Sequence, residues 1–224
     1  PHPQSLTVGG VTCVMDLKSP ARLGEYMVKF EEVADFINRA YYPDLVMAGK
    51  AYANEVSVLN DVGVPNLFTS RTFMVGKNDY LFDSGIIMNG DIKNVLEVDE
   101  SKITEEATHS WYKNDKALHP YDGETEANFT GLKDEKTLNA KGQMADSKVF
   151  DHAGKYSWIN ATRYDRETMH VGPLANIVVH YAKGKRYVAH VVEKFLSDTG
   201  LPLGEVLSKI GRHATRLIEA KVIA

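Results

Sequence analysis

A chain of 224 residues, 43% hydrophobic and 25% charged, carries enough apolar material for one large domain or two small ones. Its 26 basic and 30 acidic residues are interspersed and sum to a net charge of −4, without the basic stripe that nucleic acid demands. A single cysteine, Cys13, excludes an internal disulfide and any cysteine-based zinc or iron–sulfur site built by this chain alone, and no apolar run approaches the roughly 18 residues needed to cross a bilayer.

The opening PHPQSLTVGGVTC (1–13) reads as a loop and begins without Met, so the chain is expected to be an internal piece of a longer polypeptide. Ser19-Pro20 then predicts a helix start: a side-chain cap, followed by proline at the first helical position, where its missing N–H costs nothing. Apolar residues recur at Leu23, Met27, Phe30, Ala34, Ile37 and Tyr41, a 4-3-4-3-4 spacing that Val33 and Phe36 widen. A helix with two apolar sides needs more than one neighbour, like a beam in a helical core. Pro43 is expected to stop it after about 22 residues.

Beyond Pro43 the pattern changes. Gly and Pro recur through a loop-rich region, in which Ile86-Ile87-Met88-Asn89-Gly90-Asp91-Ile92 predicts a hairpin, because Asn-Gly accepts the positive φ angles of a tight turn. Residues 101–112 are expected to be helical, with Thr104-Glu105-Glu106 placing acids near the start, and 114–151 to be extended with one more ribbon. Helices return over 173–183, with Gly184 as a stop, and over 187–198, with Gly200 beyond the end. A last stripe, Leu203, Leu207, Ile210, Ala214, Leu217 and Val222, runs to the final residues with nothing to stop it, so this end too is expected to be a cut. The fold class implied is mainly α with a loop-rich α+β insert. Its parts are a loop and long helix (1–43), an irregular insert with small β ribbons (44–171) and a helical cluster (172–224).

Chemistry is sparse. The eight histidines, at 2, 109, 119, 152, 170, 180, 190 and 213, form no His-Glu-x-x-His motif and no convincing i, i+4 helical pair. His180 and His190 are expected to be packed or surface residues, not ligands. Gly9-Gly10 lacks the further glycine, or the Gly-Lys-Ser/Thr ending, of a phosphate loop and reads as a tight turn. Cys13 reads as a small buried hydrophobe. Asn128-Phe129-Thr130 and Asn160-Ala161-Thr162 match the glycosylation tripeptide, which chance supplies often. Asp99, Glu100, Glu105 and Glu106 most simply serve a solvated helix start. Two stretches differ in kind: His109-Ser110-Trp111-Tyr112 and His119-Pro120-Tyr121-Asp122-Gly123 combine aromatic bulk, imidazole and a turn-forming Asp-Gly. They suit an interface or a cofactor-facing surface, or equally an ordered loop plugged into its own domain.

Longer words in the sequence carry a resemblance. PHPQ (1–4) with VGGVTC (8–13), FINRAYYPDLVMAGKAYANE (36–55), SVLNDVGV (57–64), ESKITEEATHSWY (100–112), LHPYDGET (118–125), KYSWI (155–159), VGPLA (171–175) and KFLSDTGLPL (194–203) together resemble the large subunit of nickel–iron hydrogenases. The likeness is nearest to the membrane-associated uptake type of enterobacteria, the hydrogenase-2 kind. It implies reversible oxidation of H2 at a nickel–iron centre, a place in the helical-bundle core of a hydrogenase large subunit, and an iron–sulfur small subunit as partner. It also implies the periplasmic side of the inner membrane, with membrane association through partner subunits. The family's metal ligands are four cysteines, in R-x-C-G-x-C and D-P-C-x-x-C-x-x-H motifs, and neither motif is in this sequence. No catalytic or metal-ligating residue is therefore carried over, and these 224 residues alone are expected to bind no nickel.

What the resemblance does assign is a supporting shell. His2, with Gln4 as companion, matches a family histidine beside the small-subunit iron–sulfur cluster nearest the active site. His109, Trp111, His119 and Asp122 match stretches expected to order the wall facing the small subunit. The sequence departs from the family pattern at Asn160, Thr162, Ala127 and His213. A non-catalytic relative, a structural or quinone-site subunit of a respiratory complex, is the alternative that the missing cysteines leave open.

Overall fold

The structure is a computed structural model that describes residues 20–55, 66–114, 116–123, 126–151 and 154–224. The chain divides into two units, one of Pro1–Val62 with Gly172–Ala224, the other of Gly63–Val171.

Among the described residues of the first unit there are five α-helices: α1 (Pro20–Phe36), α2 (Tyr42–Ala51), α3 (Pro173–Ala182), α4 (Arg186–Thr199) and α5 (Lys209–Ile223). The sequence of α3, PLANIVVHYA, is apolar nearly all round, and every residue from Leu174 to His180 is buried, as a central helix requires. Around it α4 turns inward Val188, Val191, Val192 and Phe195, while α5 turns inward Ala214, Leu217 and Ile218. Gly200 closes α4 at φ 75°, a left-handed position where a Cβ would be strained. The last helix begins at Lys209 and not at Leu203; Leu203–Leu207 is a 3-10 turn, and Ser208 then caps α5 by accepting a hydrogen bond from the Gly211 N–H at 3.1 Å.

Pro43 does not end the first helix. Ile37–Tyr41 instead form a π turn, in which the Tyr42 N–H reaches back five residues to the Ile37 carbonyl. The widened turn accommodates a proline that has no N–H to donate, and Pro43 falls in the first turn of α2, where that loss is harmless. Tyr42 then anchors α2: its hydroxyl donates to Asp198 of α4 at 2.7 Å, and the Lys194 and Lys221 ammoniums lie 5.4 and 4.7 Å from its ring centre. The α1 stripe expected to be packed is open among the described residues. Met27 is 52% exposed, Val33 53% and Phe36 60%.

In the second unit the described residues form no α-helix but four two-stranded antiparallel ribbons. These pair β1 (Leu67–Thr69) with β4 (Gly85–Ile87), and β2 (Thr72–Gly76) with β3 (Asp79–Phe82). They also pair β5 (Ile103–Glu106) with β8 (Ala161–Tyr164), and β6 (Leu132–Leu138) with β7 (Met144–Phe150). The helix expected over 101–112 is thus absent: Glu100–Lys102 makes one 3-10 turn and the chain then enters β5. Ile103, Ala107 and Trp111 keep a four-residue spacing, but β-branched Ile103 and Thr104 find cross-strand partners in Tyr164 and Arg163, and the pairing prevails over the local period. Asn89 and Gly90 adopt positive φ, 53° and 71°, with the Asp91 N–H bonded to the Met88 carbonyl at 3.0 Å. The ribbon around that turn closes further out, where Ile86 and Leu96 exchange two hydrogen bonds. Leu67, Phe82, Ile86 and Ile87, each no more than 1% exposed, are the centre of this unit's core.

Candidate functional site

The site is built from an aromatic residue that cannot be buried unless its polar atom finds an acceptor. Trp111 is 7% exposed, and its indole N–H donates to the Lys155 carbonyl at 2.7 Å. Its backbone N–H bonds the Ser157 carbonyl, and its carbonyl accepts from the Asn128 N–H, both at 2.8 Å. Two distant stretches are thereby clamped to one residue, by its backbone and its indole together. Phe129 and Trp158 approach it edge-on, with ring centres 4.8 and 5.1 Å away, and stack on each other at 5.8 Å. Tyr112 meets Trp158 at 5.8 Å and donates its hydroxyl to the Trp158 carbonyl at 3.1 Å. Gly131 completes the packing, because a Cβ there would come within 2.6 Å of the Trp111 ring.

His109 lies beside this group. Its carbonyl accepts from the N–H groups of Tyr156 and Ser157, and its ring stacks on Tyr156 at 5.1 Å. The buried Ser110 hydroxyl donates to the Ile159 carbonyl at 2.7 Å. Above the buried tryptophan the rim is open, with Tyr156 60%, Trp158 46% and Ile159 79% exposed.

His119 and Asp122 occupy a turn of their own. The His119 Nδ1 accepts from the Tyr121 N–H at 3.2 Å, its carbonyl accepts from the Asp122 N–H at 2.8 Å, and its ring lies 5.0 Å from the Tyr121 ring. His119 also lines a cavity of about 500 Å³ with Phe68, Arg71, Glu100, Ile103 and Tyr121. The structure thus brings His109 and Trp111 into one group and sets His119 and Asp122 in another. His2, Gln4 and Cys13 lie outside the described residues. The partners Phe129 and Tyr156 were missed in the sequence because nothing local ties them to Trp111 and His109. The usable signal was that KYSWI holds the chain's second tryptophan.

The remaining candidates resolve simply. His180 is fully buried on α3 with its Nδ1 2.7 Å from the Asn176 carbonyl, while His190 is exposed on α4. Asp99 caps the 3-10 turn by accepting from the Ser101 N–H and hydroxyl, and this holds its carboxyl below the usual range. Among the departures, Asn160 donates to Glu105 at 3.3 Å and His213 is exposed on α5. Among the described residues no three His, Cys, Asp or Glu side chains gather as a metal site would require. The aromatic group can support and present a surface; it holds no acid–base pair.

Known proteins are similar to this sequence along its whole length. A quinone-reactive Ni/Fe-hydrogenase large chain of Wolinella succinogenes is 50% identical over 100% of this chain and 39% of its own length. An uptake hydrogenase large subunit of Rhizobium leguminosarum bv. viciae is 33% identical, and the hydrogenase-1 large chain of Escherichia coli K12 is 30% identical. Each of these two covers 99% of this chain with 39% of its own length, so the chain spans about two fifths of these curated relatives. Among solved structures, a single-residue variant of the [NiFeSe] hydrogenase from Desulfovibrio vulgaris Hildenborough superposes with a TM-score of 0.68 at 26% identity, over 95% of this chain and 40% of that one. A reduced, active form of the Ni-Fe-Se hydrogenase from Desulfomicrobium baculatum shares the fold at a TM-score of 0.66 and 24% identity, over 99% of this chain and 41% of that one. The family model described as nickel-dependent hydrogenase matches residues 1–224 without remainder, and on these grounds the chain belongs to the nickel-dependent hydrogenase family, as large-subunit sequence.

Proposed function

We propose that these residues are part of the catalytic large subunit of a nickel–iron uptake hydrogenase, which oxidises H2 reversibly to protons and electrons and passes the electrons to an iron–sulfur small subunit. The observation that carries the reading is the 50% identity, along the whole chain, to a Ni/Fe-hydrogenase large chain.

Within that subunit the chain is scaffold. A nickel–iron centre calls for soft thiolate donors, and a sequence with Cys13 alone does not fit that donor set. The metal ligands then come from parts of the parent subunit outside these residues. The open apolar stripe of α1 supports a place in the helical-bundle core, because so much exposed apolar surface on one helix calls for further packing. The aromatic group supports a role for His109 and Trp111 in ordering the wall toward the small subunit. A rigid, buried tryptophan beneath an exposed rim of Tyr156, Trp158 and Ile159 has the composition of interface anchors. His119 and Asp122 are proposed for the same wall. For His2 and Gln4, a role beside the partner's nearest iron–sulfur cluster rests on sequence resemblance.

The proposed setting is the periplasmic side of the inner membrane, with attachment through partner subunits. No described helix is long and apolar enough to cross a membrane.

The test is the full-length large subunit containing these residues, matured with its small subunit and assayed for nickel content and H2-dependent dye reduction. Cys13→Ser is expected to keep both within about twofold, less than ~0.5 kcal/mol, because the thiol is not a ligand. Loss of nickel in that variant would overturn the scaffold assignment. A nickel-free, inactive wild type would favour the non-catalytic relative instead.

A further inference from the structure

At the edge of the β5–β8 pair, Asn160 carries a buried oxygen that no described residue satisfies. Its Nδ2 donates to the Glu105 carboxylate at 3.3 Å. Only the NH2 end of an amide can donate to a carboxylate, so that bond fixes which way the group is turned. The Oδ1 at the other end is buried without a hydrogen-bond partner. A buried acceptor left unpaired is costly, and each one calls for an explanation.

The surroundings supply one. Asn160 and Glu105 line a cavity of about 30 Å³ together with Asn114, Leu118 and Gly123. A single water occupies about 10–15 Å³ of such space, so a somewhat larger sphere fits. The walls are held from both sides of β5. Glu105 lies opposite Thr162 of β8 on one side, and on the other it exchanges backbone hydrogen bonds with Leu118, at 2.8 and 3.4 Å. The Asn114 side chain is fixed in turn by accepting from the Lys116 N–H at 3.0 Å.

The lining is one-sided in its chemistry. Glu105 is half-buried, and among the described residues its carboxylate pairs with no Lys, Arg or His; its side-chain partner is the neutral Asn160 amide. A water in the cavity would satisfy the Asn160 oxygen but leave the carboxylate charge uncompensated, whereas a cation satisfies both. The donors are amide and carboxylate oxygens, which suit hard cations and not soft metals. They bring one negative charge, and among the described residues no three His, Cys, Asp or Glu side chains gather, which argues against a divalent ion. We propose that Glu105 and Asn160 bind one monovalent metal cation of about potassium size.

For the experiment, the parent hydrogenase, large subunit with small subunit, is crystallised with rubidium chloride in place of sodium and potassium salts. Diffraction is measured at the rubidium absorption edge. An anomalous peak is expected in contact with the Asn160 Oδ1 and the Glu105 carboxylate. Asn160→Lys brings a cation of its own on a side chain and is expected to abolish that peak. Glu105→Gln keeps the shape, removes the charge and is expected to abolish it too; being isosteric, it tests the site even where the longer lysine disturbs assembly. A wild-type site without anomalous signal, filled by water or by a basic side chain from elsewhere in the parent, would overturn the proposal. So would a peak that survives undiminished in either variant. H2 oxidation is scored separately in the same preparations, so the cation site and the proposed activity fail independently.

Discussion

Tyr42 shows how one side chain can tie three helical segments together and set a pH window for the tie. Burial first, then the hydrogen bond and charge of Asp198, push its hydroxyl far above the ordinary tyrosine value. Asp198 in turn is held below the usual carboxylate range, by Lys194 first and by Tyr42 second. The signs are opposite and bracket neutrality. A raised tyrosine stabilises the fold fully below its unfolded pKa of about 10, and that contribution is lost as pH climbs beyond it. A depressed aspartate stabilises the fold above about pH 4, and that contribution is lost as pH falls. Tyr42→Phe removes the hydroxyl that links the two groups and is expected to cost about 1 kcal/mol at neutral pH. In urea titrations the gap between wild type and variant should be flat from about pH 5 to 9 and narrow on both sides. A gap that stays constant through about pH 11 would rule out the tyrosine as the titrating partner.

The elements differ in how much of their cause lies within their own sequence. Those of the helical cluster do: α4 carries apolar periodicity, α3 is a nearly continuous apolar run opened by a proline, and a glycine lies past the end of each, so their bounds could be read to within a residue or two. Of α5 the stripe was legible but the start was not. Leu203 and Leu207 fit a helical period, yet Ser208 takes an extended conformation and caps the helix that follows. That cap is 1% exposed, and Gly211 allows no side chain in the same turn, since a Cβ there would lie 2.1 Å from the Val206 carbonyl oxygen. Ser208→Ala leaves the Gly211 N–H without its acceptor and should lower stability by about 1 kcal/mol, read as a shift in the helical melting transition. No shift would mean that the cap is replaced by another acceptor. The π turn was hidden because proline penalties are counted against an ideal helix, and a one-residue change of hydrogen-bond register evades them. β5 was hidden because its pairing residues lie near position 162, where no local pattern reaches. The aromatic group was half visible: HSWY announced bulk and polarity, but its acceptor, the Lys155 carbonyl, lies 44 residues on.

For the molecule as a whole, the recognisable words of the sequence identified the family more readily than they described the architecture, because a family match needs order along the chain and not contacts in space. The division into two units has a consequence that two spectroscopic probes can separate. Both tryptophans, Trp111 and Trp158, belong to Gly63–Val171, whereas every described α-helix belongs to the other unit. Tryptophan emission therefore reports the ribbon unit, and far-ultraviolet circular dichroism is dominated by the helical one. A core defect placed in one unit should appear in one probe. Gly131→Ala is such a defect, since its new Cβ would sit 2.6 and 2.8 Å from two Trp111 ring atoms and 2.9 Å from Phe129. The indole is pinned by its bond to Lys155 and by the neighbouring Trp158 ring, so it cannot simply swing aside. Overpacking of this kind costs about 1–3 kcal/mol. The emission transition of Gly131→Ala is expected to move down by several degrees while the dichroism transition holds, and Ser208→Ala is expected to do the reverse. If either substitution moves both transitions together and by equal amounts, the two units melt as one cooperative body and the separation of their cores is not energetic.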